Sequence, residues 1–521
     1  MRWIVRKSSN LLGRERRSGR GGEPDSASAI PRPPTTNICT LKRGTMIKEG
    51  LLPAPQSGLR PNYLGFWNIA AQSIANIAPS ATPALILPLV FGFTGNGAWV
   101  AYAFATVALL LVAANINVFA HRSASPGALY TFVAQGLGPT WGVISGWSLV
   151  IAYTIIGSSV LAGLANYVTV LAHRFMSANF DFELTIAAMI AGGVVALLLA
   201  YRDVKLSTQF MLGTEFASIS IIMLLIALFF AHHKAVDPAQ FAFSGMNTNG
   251  LVQGLVLAIF SFVGFESATT LGREAKNPKQ SIPASVLFTV VATGAYFMIA
   301  SYALVAAFQG HTPSLDQSNA PLDVLSQLVG IPFLGPLVDV GITIGFFACA
   351  LACVTAGARI LYAISRHGLF HSAASAIHKT HATPHVAVTI TAIIVMLVPL
   401  VMFFTNFKVL DIYGITGTLS TFGLLLPYVL VSIAAPVYLR KRGESYGVSI
   451  VVAILSLVAL LFTVKGSVYP VPAPPYNLLP YIFVGLLAIG LVRFIYLRKK
   501  QPDIVSNIQA DLLKEVEELS A

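Results

Sequence analysis

Phe260-Ser261-Phe262-Val263-Gly264-Phe265-Glu266-Ser267-Ala268-Thr269-Thr270 interrupts an apolar run, residues 250–271, that would otherwise read as one clean membrane-crossing helix. It puts a glycine, a carboxyl group and four hydroxyls at bilayer depth. A charged side chain there costs about 2.5 kcal/mol or more, so Glu266 marks either a functional site or a hydrogen bond that ties helices together. A second interruption, Gln72-Ser73-Ile74-Ala75-Asn76-Ile77-Ala78-Pro79-Ser80-Ala81-Thr82-Pro83, falls inside the first apolar run, residues 64–93. Pro79 and Pro83 each remove a backbone donor one turn apart. Backbone groups freed in this way are not tolerated against lipid, so the stretch lines protein or a water-filled cavity. A plain proline kink is the bland alternative.

Around these two stretches the chain alternates apolar runs with short polar breaks. The runs fall near 64–93, 98–120, 139–171, 184–200, 207–231, 250–271, 284–308, 337–363, 387–404, 409–439, 448–464 and 478–496. Crossing the hydrocarbon core takes about 20 residues, so the pattern predicts an all-α integral membrane protein of about twelve helices. Composition agrees: of 521 residues 55% are hydrophobic and 10% charged, with mean hydropathy +0.73. A soluble domain carries roughly 25% charged residues, so this surface must face lipid.

The net charge of +12 is not a nucleic-acid signal. Much of it lies in residues 1–60, a polar, Arg-, Ser- and Pro-rich tail expected to be disordered and lacking the apolar core of a signal peptide. Met46 is an alternative start that would leave a short basic tail. The other cations mark orientation. Even-numbered breaks carry Arg122; Arg202 and Lys205; Arg273, Lys276 and Lys279; Arg366 and Lys379; Arg440, Lys441 and Arg442. Odd-numbered breaks carry only Arg174, Lys234, Lys408 and Lys465. By the positive-inside rule both termini are cytoplasmic in a multi-pass protein of the cell (plasma) membrane. The expected divisions are a tail at 1–60, a ten-helix core at 61–440, two further helices at 441–500 and a cytoplasmic tail at 501–521.

Three cysteines exclude a disulfide framework, and Cys349 and Cys353, four apart, read as small packing residues rather than metal ligands. His367, His371, His378, His381 and His385 gather in the connection after the eighth run and read as solvated loop histidines, not a zinc site. No cofactor is expected. Nor is there the intramembrane His/Asp cluster of an embedded enzyme or the charge ring of a channel.

The interrupted runs are the first and the sixth, corresponding places in two five-helix halves, which is the pattern of an inverted-repeat transporter. Broken ends pointing inward offer free N–H groups to a carboxylate and free carbonyls to an ammonium. A zwitterionic amino acid fits that pair of poles, with Phe260, Phe262 and Phe265 covering its side chain.

These residues resemble the amino acid–polyamine–organocation superfamily, from roughly residue 64 to 440. The resemblance rests on Gly264-Phe265-Glu266-Ser267-Ala268, Glu274-Ala275-Lys276-Asn277-Pro278 and Ile282-Pro283. It is extended by Ser125-Pro126-Gly127-Ala128-Leu129-Tyr130 with Gly136-Leu137-Gly138-Pro139, and by Arg359-Ile360-Leu361-Tyr362-Ala363, Arg366-His367-Gly368 and Thr383-Pro384. Ala128 stands where the family pattern has a second glycine, and Ala78-Pro79-Ser80-Ala81-Thr82 replaces a glycine-rich break. The resemblance implies a LeuT-type 5+5 inverted repeat plus two helices, and a permease acting by proton-coupled symport or exchange.

It further implies substrate contacts at Ile77, Ala78, Ser80, Ala81 and Thr82 on the first helix, and at Phe260, Ser261, Val263 and Phe265 on the sixth. Pro79, Pro83 and Gly264 would break the helices. Some members carry a lysine on the fifth helix; here Ser218 lies near that position with Glu215 a turn earlier. Glu215 and Glu266 are therefore the candidate coupling groups, since burial lets a carboxyl carry a proton near neutrality. The expected partners are a small-molecule substrate and the lipid bilayer, with no nucleic acid. A polyamine is the rival substrate, and a homo-oligomer is left open.

Overall fold

The computed structural model describes residues 59–175, 180–233, 236–247, 250–318, 320–469, 471–501, 505, 506 and 508–510. The tail at 1–58, with Met46 and Cys39, and residues 511–521 lie outside the described residues. Everything below belongs to the unit Gln56–Ala521.

Among the described residues the regular structure is helical, and the single β-bridge joins Leu64 to Ala275. Ten stretches are long and apolar enough to cross a membrane. One of them, Phe66–Ala120, has 55 residues. At 1.5 Å per residue it would extend about 80 Å as one helix, far beyond a core of about 30 Å. It is instead three helices, α1 (Phe66–Ile77), α2 (Leu87–Thr94) and α3 (Ala98–Ala120), broken at Ala78–Ala81 and turned at Gly95–Gly97. α4 (Leu129–Leu137), α5 (Pro139–Phe175), α6 (Asp181–Arg202), α7 (Val204–His232) and α8 (Pro238–Phe241) follow. α9 (Leu251–Phe260) gives way to turns and a 3-10 stretch, Ser267–Glu274. Then come α10 (Pro278–Ala307), α11 (Pro321–Leu328), α12 (Leu334–Arg366), α13 (His385–Phe404), α14 (Val409–Lys441), α15 (Gly447–Val468) and α16 (Leu479–Lys500). The expected twelve crossings are reached only by dividing the first stretch and counting the interrupted 251–274. α4 and α11 answer to no apolar run, because each is shorter than a crossing.

α12 and α14 both pack along α5, and around α5 the core forms. α15 and α16 keep Val451, Leu461, Val484 and Val492 exposed, as lipid-facing helices should.

The basic end is closed by the motifs that carry the family resemblance. Arg359 of α12 holds Glu274 with two N–H donors, Nε to Oε2 at 2.8 Å and Nη2 to Oε1 at 3.1 Å, and both side chains are buried. The segment before α1 straps the same place: Tyr63 and Leu64 donate to the Glu274 carbonyl, and Lys276 donates to the Leu64 carbonyl. Arg60 donates to Asp203 at 3.1 Å and to the Thr380 carbonyl at 2.9 Å. His378, His381 and His385 pack round Tyr201 beside that strap. Ala128 adopts φ 50°, ψ −129°, a conformation that favours glycine and explains the family's glycine there.

Candidate substrate site between the interrupted helices

α1 stops because Ala78 turns left-handed (φ 50°, ψ 60°), and Pro79 cannot supply the next helical donor. The chain resumes at a π-turn, Thr82–Ile86, with Pro83 near its start. The other break falls after α9, where Gly264 takes φ +97°. A side chain there would also collide with the Asn76 amide, so glycine is required twice over. Pro79 lies in the first break, Pro83 at the start of the π-turn after it, and Gly264 in the second break.

The two breaks are stitched to each other. Ser267 Oγ donates to the Gln72 carbonyl at 3.1 Å, and the Ala268 amide donates to Ser73 Oγ at 2.8 Å. α12 holds the end of α1 from the other side. Gln72 Nε2 donates to the Ala352 carbonyl at 2.8 Å, Cys353 Sγ to Asn76 Oδ1 at 3.0 Å and Cys349 Sγ to the Asn76 carbonyl at 3.3 Å. The two cysteines are therefore a packing and hydrogen-bonding pair that secures the broken end.

Between the breaks is a narrow cavity of about 30 Å³. Ile77, Ala78, Ala81, Phe260 and Val263 line it, with Asn76 and Ile86 beside them. Its remaining wall is built by regular helices: Ile156, Ser159 and Val160 of α5, Phe346 and Cys349 of α12, and Tyr413 and Gly417 of α14. No charged side chain lines it. The other expected contacts face elsewhere. Ser261 lies 3.2 Å from the Tyr102 hydroxyl, and Phe265 packs on Tyr428 with ring centroids 5.4 Å apart. Ser80 and Thr82 are fully buried away from the cavity wall; Ser80 faces Glu215, and the Thr82 hydroxyl has no hydrogen-bond partner. The α5, α12 and α14 residues carry no local signal in sequence, because an intact helix hides which face meets a cavity.

The two candidate coupling acids have unlike surroundings. Glu266, fully buried, accepts from Tyr153 of α5 at 2.7 Å on Oε1 and from Tyr428 of α14 on Oε2. Neither oxygen is left free. Glu215 of α7 is also buried, and the group placed to hydrogen-bond it is Ser80, in the break after α1. Gly345 of α12 makes room for both: an added Cβ would lie 3.0 Å from Glu215 Oε1 and would collide with Ser80 Oγ. Tyr296 of α10 stands near Glu215 with its own hydroxyl unpartnered. Ser218 is committed to structure, donating to the Thr214 carbonyl at 2.9 Å and the Gly341 carbonyl at 3.0 Å.

Comparison with known proteins adds the family. The branched-chain amino acid permease BcaP of Bacillus subtilis (strain 168) is 25% identical over 385 residues, 68% of this chain and 78% of that protein. The low-affinity putrescine importer PlaP of Escherichia coli (strain K12) is 23% identical over 371 residues, 68% of this chain and 76% of that protein. A substrate-bound, outward-open Na+-coupled sialic acid symporter aligns with TM-score 0.48 and 11% identity, over 79% of this chain and 91% of that one. The sequence model of the amino acid permease family matches residues 69–511. This chain, a multi-pass membrane protein, belongs to the amino acid permease family.

Proposed function

We propose that the protein is a secondary transporter, not an enzyme, that moves an amino acid across the cell membrane by alternating access and draws on a proton through Glu215. The observation that carries this reading is the cavity between the two helix breaks. At its edge α1 ends at Ala78, and a helix end broken there offers backbone carbonyls to an ammonium. The basic end, closed by Arg359–Glu274 and Arg60–Asp203, faces the cytoplasm on this reading, with both termini there.

Glu215 suits coupling because its carboxyl group sits against the break itself, with Ser80 of that break as its hydrogen-bonding neighbour and the Tyr296 hydroxyl unpartnered nearby. A proton taken up there changes the charge next to the moving segment. Glu266 is already held by two tyrosines and serves to tie α5 and α14 to the sixth segment. A polyamine is the rival substrate. A dication needs carboxylates facing it, and Glu215 and Glu266 both lie behind the cavity wall, which favours an amino acid.

A thermal-shift screen of the detergent-purified protein against the twenty amino acids, putrescine and spermidine tests this reading. A ligand that binds only the folded state adds about 2.7 kcal/mol at a hundredfold its Kd. Stabilisation by amino acids is the expected result; stabilisation by diamines alone would overturn the substrate assignment.

A further inference from the structure

Tyr413 and Gly417 are one turn apart on α14, and both face the cavity. One presents a large ring and the other nothing, so the wall has a recess at Gly417. Phe260, the last residue of α9, fills part of that recess. A Cβ added at Gly417 would lie 2.9 Å from Phe260 Cζ and 3.2 Å from Ser159 Oγ. The two neighbours differ in freedom. Ser159 Oγ donates to the Tyr413 carbonyl at 2.7 Å, which fixes it between α5 and α14. Phe260 meets the site with the far end of its ring, at the point where its helix stops. A methyl group at 417 therefore moves the ring and not the serine, and the recess loses the methyl's volume together with the space the ring then takes.

Phe260 and Ser159 flank Gly417, Ile156 and Val160 line the same cavity, and the Ser159 hydroxyl is already committed to Tyr413. An ammonium or guanidinium on a substrate side chain would find no counter-charge there. An apolar side chain loses only water. We infer that Gly417 and Phe260 form the side-chain subsite, that it takes neutral amino acids with an apolar side chain, and that the pair sets the upper limit of side-chain size. This rests on the reading of the cavity as the substrate site.

The test uses the full-length protein in proteoliposomes, with kcat/KM for alanine and for leucine measured in wild type, Gly417→Ala and the double variant Phe260→Leu/Gly417→Ala. One methylene too many in an apolar pocket is worth about tenfold or more in discrimination. Gly417→Ala should lower the leucine-to-alanine ratio by about tenfold while alanine is still transported, and the double variant should bring the ratio back to within about threefold of wild type. A ratio unmoved by Gly417→Ala, or not restored by shortening Phe260, overturns the inference, as does a wild type that transports arginine or diamines but neither test amino acid. If Gly417→Ala does not fold, Phe260→Leu alone should shift preference from leucine towards phenylalanine, and an unchanged preference overturns the inference too. Ala81→Trp separates the two levels, because Ala81 lines the same cavity. Loss of all uptake by a folded Ala81→Trp protein with an unmoved Gly417→Ala ratio sinks the subsite alone, whereas full uptake by Ala81→Trp sinks the site itself.

Discussion

Glu266 and Glu215 are both buried carboxyl groups beside the two interrupted segments, yet Glu266 accepts a tyrosine hydroxyl on each oxygen while Glu215 has Ser80 of the broken stretch as its hydrogen-bonding neighbour. Glu266 receives a hydroxyl on each oxygen, from two helices that flank the sixth segment. Such a group is part of the frame, because moving it breaks two hydrogen bonds at once. Glu215 has only the contact with Ser80, which is itself in the broken stretch. A buried acid so sparsely partnered is costly when charged, which is why the proposed function assigns the coupling to it. The difference teaches that depth in the membrane does not separate a structural acid from a coupling acid; its partners do.

Removing Glu266 should produce the largest effect. Glu266→Ala leaves the Tyr153 and Tyr428 hydroxyls buried without an acceptor, at about 1–3 kcal/mol for each. Its melting temperature in detergent should fall well below that of wild type, and a wild-type value would break the comparison on this side. Tyr428→Phe removes one of the two bonds and should cost about 1–3 kcal/mol. A double-mutant cycle with Tyr153→Phe should show coupling between the two tyrosines through the shared carboxyl group.

Glu215→Gln should leave stability unchanged or raise it, since it removes a burial cost and keeps an amide oxygen for Ser80 to donate to. A clear loss of melting temperature would mean that Glu215 has structural partners beyond Ser80.

The smallest effect belongs to an acid outside the membrane, Glu444, on the connection from α14 to α15. Hydrogen bonds from Arg122 and Arg442 hold its carboxyl below the usual range, with charge attraction adding to them. Its contribution is therefore present above the ordinary value of 4.5 and lost as pH falls through the lowered one. Because it is exposed, Glu444→Gln should leave melting temperature at pH 7 within error, and a measurable drop would show that surface partners matter here as much as buried ones.

The helices and their breaks were legible in sequence because each has a local cause. Apolar length sets a crossing, Pro79 withholds a donor, and Gly264 supplies a positive φ. What sequence could not give was direction. Inside a broken stretch the 3.6-residue period is lost, so nothing told that Ala78 and Ala81 face the cavity while Ser80 turns to Glu215 and Phe265 to Tyr428. Partners distant in the chain were equally hidden. The hydroxyls that fix Glu266 come from residues 113 and 162 positions away, and without them the two acids read alike. Ser159, Tyr413 and Gly417 sit in unbroken helices, where only packing reveals the face that matters.

The central claim is that Glu215 couples a proton to movement of the break beside Ser80. The most direct test reconstitutes wild type and Glu215→Gln in proteoliposomes and compares accumulation of a transported amino acid driven by an imposed pH gradient with exchange at equal pH on both sides. Wild type should do both, while Glu215→Gln should exchange amino acid and fail to accumulate it. Accumulation by Glu215→Gln that still follows the pH gradient would contradict the account and move the coupling group elsewhere.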